Sequence, residues 1–75
     1  MSTIDGATVS FFKFCEWHRN NPHVIVELMP GEGRVQALRR MQLQDCMKAL
    51  TEGRELHDDN KTQYRKILTS RGYNV

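Results

Sequence analysis

Ser10-Phe11-Phe12-Lys13-Phe14-Cys15-Glu16-Trp17-His18-Arg19-Asn20-Asn21-Pro22 is the stretch that sets the fold class. Four of the six aromatic residues of the chain fall between Phe11 and Trp17. Phe11, Phe14, Cys15 and His18 stand at i, i+3, i+4 and i+7, the spacing of one helical face. Phe12 and Trp17 flank that face on either side, so apolar surface covers more than half of the circumference. A helix lying on a single core needs a stripe of only roughly 100°. Either other elements embrace this helix or part of it is a docking surface, and Phe12 and Trp17 are the candidates for contact with a protein partner. Pro22 drives Asn21 out of the α region, which ends or kinks a helix read from about Thr8 to Asn20. Asp5, Thr8 or Ser10 can cap its start. Residues 1–7 read as a flexible N-terminal arm ahead of a single helical domain over 8–75.

Outward from there, residues 23–38 support two readings. The β-branched run His23-Val24-Ile25-Val26-Glu27-Leu28-Met29 favours a strand, and Pro30-Gly31-Glu32-Gly33 can turn it back onto Arg34–Leu38 as a hairpin. The competing reading is a short helix, capped by Asn21 with Pro22 in its first position and stopped by Pro30; of the two, the helix is preferred. From Arg34 to Thr51 strong helix formers dominate, and Leu43, Cys46, Met47 and Leu50 repeat the helical spacing. Arg39 and Gln42 fall near the middle of the face defined by Val35, Cys46 and Ala49. A break or a later start near residue 38 would remove that conflict. Gly53 fits a left-handed helix terminus. Asp58, Asp59 or Asn60 can cap a last helix, with Asn60 and Gln63 spaced as a capping box, and Gly72 marks its end. The expected fold is mainly α, a small bundle of about three helices.

Seventy-five residues make one domain near the lower limit for stability without disulfides or metal. Charged and apolar fractions are those of an ordinary folded domain. Met1–Gly6 shows neither a basic nor an apolar signal region, and the longest aliphatic run, Val24-Ile25-Val26, is far short of a membrane span of about 20 residues. The expectation is a cytoplasmic protein with no membrane partner. The two cysteines, Cys15 and Cys46, read as reduced core thiols rather than a disulfide. A formal charge of +2 diagnoses no partner, but beyond Asp59 the chain carries Lys61, Arg65, Lys66 and Arg71 and no acidic side chain.

The chemistry-bearing residues point to binding. Cys15, His18, His23 and Cys46 could be grouped as metal ligands, yet their spacing fits no zinc pattern and lacks a Cys-x-x-Cys knuckle. Cys15 with His18 has the makings of an activated thiol, without an orienting group or an oxyanion site. Pro30–Gly33 lacks the Gly-Lys-Ser/Thr ending of a phosphate loop and reads as a turn. No catalytic residue, metal site or cofactor is therefore expected. Nucleic-acid contact is the more serious possibility, through Arg34, Arg39 and Arg40 on one helix and Lys61, Arg65, Lys66 and Arg71 on another, which could neutralise phosphates. The link from Thr51 to Asp59 is longer than the turn of about 3–4 residues in a helix-turn-helix.

The segment Ser10–Val24, ending Asn21-Pro22-His23-Val24, resembles a family of short phage and prophage proteins that carry an Asn-Pro-His-Val segment. The resemblance implies a small phage-encoded accessory protein of the kind that docks on host machinery or regulates transcription. The resulting expectation is a non-enzymatic regulator that binds a host protein complex such as the transcription machinery. The alternative is a DNA-binding transcription regulator that uses the basic helix surfaces directly.

Overall fold

The computed structural model describes residues 4–74. Three helices make up the regular structure: α1 (Phe11–Asn20), α2 (Arg34–Thr51) and α3 (Asp58–Ser70), with no strand among the described residues. This is the mainly α, three-helix domain expected. The long α2 packs against both of the others.

Each helix boundary has a local cause. Ser10 caps α1, its Oγ accepting from the Lys13 amide at 3.3 Å. At the other end the Asn21 side chain donates to the Trp17 carbonyl at 2.8 Å, and Pro22 forbids continuation. α2 and α3 close in the same way. Gly53 and Gly72 take φ of +77° and +88°, and the amides of Arg54 and Tyr73 then reach back to Ala49 O at 2.8 Å and Leu68 O at 3.0 Å. Both are Schellman closures, which satisfy carbonyls that a helix end otherwise leaves bare.

Three expectations need correction. Residues 23–38 form neither a short helix nor a hairpin: residues 21–33 are irregular and α2 begins at Arg34. The turn at Pro30-Gly31 is present, with Gly31 at φ +77° and the Glu32 amide bonded to Met29 O at 2.9 Å. It returns the chain into a helix rather than a second strand, so the β-branched run has nothing to pair with. The break near residue 38 does not occur either. Gln42 lies fully buried on α2 and is hydrogen-bonded there, while Arg39 bonds Gln42 and covers Phe11, so the polar residues in the apolar face are part of the packing. Lastly, α3 is capped by His57, whose Nδ1 accepts from the Asp59 amide at 3.3 Å. Asn60 is inside the helix and buried, which leaves the proposed capping box with Gln63 unformed.

The expected arm is also not one over its described part; residues 1–3 lie outside the described residues. Ala7 is fully buried and belongs to the core cluster with Cys46, Ala49, Tyr64 and Leu68. The loop before α1 is threaded against α2 and α3 by two buried amides. Asn60 Nδ2 donates to Gly6 O at 2.7 Å and Val9 O at 2.8 Å. Gln42 Nε2 donates to the same two carbonyls at 3.4 and 3.2 Å. The His57 amide takes Ala7 O at 2.7 Å, and the Ala7 amide donates to Asp45 Oδ2 at 2.9 Å. Backbone groups that enter a core must find partners, and here side chains of two helices supply them. Glycine at position 6 lets the loop sit close, because a Cβ there would stand 3.1 Å from both Asp45 Oδ2 and Phe14 Cε2, which would have to give by a few tenths of an ångström.

Candidate binding site

The two predicted protein contacts are presented differently. Phe12 is 72% exposed. Trp17, five residues on and hence about 140° around an ideal helix, is half-buried, its ring edge against His18 with centroids 4.9 Å apart. His18 in turn meets Phe14 edge-on at 4.6 Å. Further large apolar side chains stand in solvent along the irregular segment and its sequel: Ile25, at 85% exposure the most open, with Leu28, Met29 and Val35.

The seven predicted basic contacts do not form one surface. Arg39 lies 4.4 Å over the Phe11 ring and donates to Gln42 Oε1 at 2.7 Å. Arg40 grips both oxygens of Glu32 at 3.1 Å and donates to Glu27 O at 2.7 Å, tying the irregular segment to α2. That grip holds the Glu32 carboxyl below its ordinary range, with help from the Met29 amide. Arg34 is exposed at the first position of α2. Lys61 and Arg65 border a cleft of about 260 Å³ with Leu50, Leu56 and Tyr64. Lys66 borders another of about 460 Å³ with Phe11, Phe12, Arg39 and Gln63. Arg71 sits apart from both, its Nη1 3.5 Å from Met47 Sδ. The structure thus brings Phe12 together with Arg39 and Lys66, a combination the sequence did not suggest.

A third site is the cavity of about 340 Å³ where the end of α1 faces the start of α2, lined by Cys15, His18, Arg19, Arg34, Val35 and Leu38 among others. His18 is only 3% exposed and its Nδ1 has no hydrogen-bond partner among the described residues. Burial and then the Arg34 charge push its pKa below the ordinary imidazole value. Burial raises the Cys15 thiol in spite of the arginines around it, so Cys15 stays a thiol. The Cys46 thiol, in the core beside Asp45 and Asp5, is pushed up to about 11, chiefly by burial. Both cysteines are free. Cys15, His18, His23 and Cys46 are not assembled around one point, and no group of three His, Cys, Asp or Glu side chains among the described residues could hold a metal ion.

The chain matches no protein-family model, no curated protein and no solved structure. Among the described residues no helix is long and apolar enough to cross a membrane. What the sequence missed is instructive. The Arg39–Gln42 conflict on the apolar face was the one visible sign of the buried amide network. Nothing local to Asn60 distinguished a buried donor from a cap.

Proposed function

We propose that this protein is a small non-catalytic regulator that works by docking on a protein complex through exposed apolar side chains, Phe12 foremost. The single observation that carries the reading is an aromatic ring left 72% exposed on a helix whose other aromatic residues are engaged in packing. Aromatic side chains anchor interfaces because they bury much area at little conformational cost. The cations near Phe12, Arg39 and Lys66, outnumber the one carboxylate of that cleft, Asp59, and would steer an acidic partner toward it. The resemblance of Ser10–Val24 to small phage proteins favours a host complex, such as the transcription machinery, as that partner.

The test is capture from a nuclease-treated bacterial lysate with the wild-type chain and with Phe12→Ser. Retention of a discrete protein by the wild type and its loss from Phe12→Ser is the expected result, with the variant's unfolding free energy unchanged within about 0.5 kcal/mol, as at other exposed positions. Equal capture by both chains would remove Phe12 from the interface and with it the reading.

A second reading, contact with nucleic acid, is favoured by the same cleft, in which Phe12 stands with Arg39, Gln63 and Lys66. An exposed ring beside cations can stack a base while the cations meet phosphates. It predicts affinity for bare nucleic acid that falls steeply with salt. The engagement of Arg40 with Glu32 and the separation of Lys61 and Arg65 from Lys66 favour protein docking instead.

A further inference from the structure

The cavity between the end of α1 and the start of α2 carries chemistry that the docking surface does not use. We infer that it binds the terminal carboxylate of a peptide ending in an aliphatic residue. Two guanidinium groups, Arg19 from α1 and Arg34 from α2, line the cavity, and no carboxylate does. Both are exposed and neither has an ion-pair partner among the described residues. Arg34 occupies the first position of an 18-residue helix whose first turn holds no acidic residue and whose cap, Gly33, has no side chain to offer. Gln36 Oε1 takes the Gly33 amide at 2.6 Å and the Glu32 carboxylate is held by Arg40, so the positive end of the helix and the two arginines still add up at the cavity, a place where an anion is stabilised. Guanidinium forks match the planar, two-oxygen geometry of a carboxylate.

The remaining wall selects against a bare anion. Pro22, Val35 and Leu38 give the cavity an apolar side, and Val35 is left 65% exposed. An inorganic ion would leave that side wet, whereas an aliphatic residue next to the carboxylate would cover it. His18 forms part of the wall with an Nδ1 unpaired inside the protein. A buried polar atom without a partner is costly; Nδ1 is closed off behind the wall, so a bound peptide reaches it only if the ring turns, and the imidazole reports on occupancy. Cys15, held as a thiol, adds no competing negative charge. A volume of about 340 Å³ is at the small end of ligand sites, which run from about 300 to 1,000 Å³, and suits one terminal residue. The inference stands on this cavity alone and does not depend on docking at Phe12.

The test is a titration of the full chain at low salt, followed by amide and imidazole ¹⁵N NMR. The probes are N-acetyl-leucine, its carboxamide and inorganic phosphate. Saturable shifts at Val35, Leu38 and the His18 ring with N-acetyl-leucine are expected, with affinity at least about tenfold lower for the carboxamide and for phosphate, the loss of one charge-assisted contact being of that order. Arg19→Ala and Arg34→Ala should each weaken N-acetyl-leucine about tenfold and leave distant resonances in place, since both side chains are exposed. Absence of saturable shifts, equal binding of the carboxamide, or phosphate binding as tightly as N-acetyl-leucine would each overturn the inference. So would arginine variants that fold and bind like the wild type.

Discussion

Residues 5–9 and residues 23–33 both lack regular structure, yet one is core and the other is surface. The first presents its carbonyls to Asn60 and Gln42 and buries Ala7 beside Cys46 and Ala49. The second presents a β-branched run with no partner strand. Among the described residues the amides of Ile25, Val26, Glu27 and Leu28 donate to no protein acceptor, and Ile25 is 85% exposed. Its ties to the body include the grip of Arg40 on Glu32 and Glu27. A segment is fixed by where its backbone hydrogen bonds go, and helical or strand character is only the commonest answer to that question.

The largest expected effect is at the amide network. Asn60→Ala removes the donor that meets both Gly6 O and Val9 O, and should cost about 3 kcal/mol by urea unfolding, since buried carbonyls are left short of partners. A cost within error of zero would mean the loop before α1 is held by burial alone. Next comes Gly6→Ala, whose added methyl must displace Asp45 or the Phe14 ring. Overpacking of that kind costs about 1–3 kcal/mol, and an unchanged unfolding midpoint would show the loop to be as loosely seated as residues 23–33.

The smallest effect separates the two regions by pH. The folded Glu32 carboxyl titrates below its ordinary 4.5, through its hydrogen bonds from Arg40 and the Met29 amide. Its contribution is therefore complete above that value and is lost as pH falls through the lowered one. The carboxamides of Gln42 and Asn60 have no charge to lose, but the Asp45 carboxylate that accepts the Ala7 amide does, and burial, followed by its hydrogen bond with Asp5, holds its pKa above the ordinary 3.8. As pH drops below 4.5, the Met29 amide resonance should move and its hydrogen exchange quicken, and the Ala7 amide should respond separately as Asp45 is protonated. Glu32→Gln should abolish the Met29 transition. Loss of the Ala7 transition as well in Glu32→Gln would mean that the two regions loosen together.

The helices were legible because their signals are local. The aromatic spacing over Phe11–His18, the long run of helix formers over Arg34–Thr51, and Gly53 and Gly72 at left-handed termini all act within a few residues of themselves. The path of residues 23–33 was not legible, because a β-branched run specifies a strand only where another strand can receive it, and here the turn at Pro30-Gly31 leads into a helix. The candidate sites were legible as residue types and not as groups. Phe12 and the cations were visible singly, whereas the assembly of Phe12 with Arg39 and Lys66, and of Arg19 with Arg34, depends on which helix faces lie together.

By itself the sequence determined three helices, their stops and an excess of aromatic surface on the first of them, since periodicity, proline and glycine act through short-range sterics and hydrogen bonding. Only the tertiary structure decided that the chain before α1 is core, that Gln42 and Asn60 are its fasteners, and that the arginines of two helices meet across one cavity. The first two outcomes join groups tens of residues apart, as Asn60 to Gly6, and follow from the need of backbone carbonyls carried into an interior for donors there, whereas the third follows from which faces of α1 and α2 lie together.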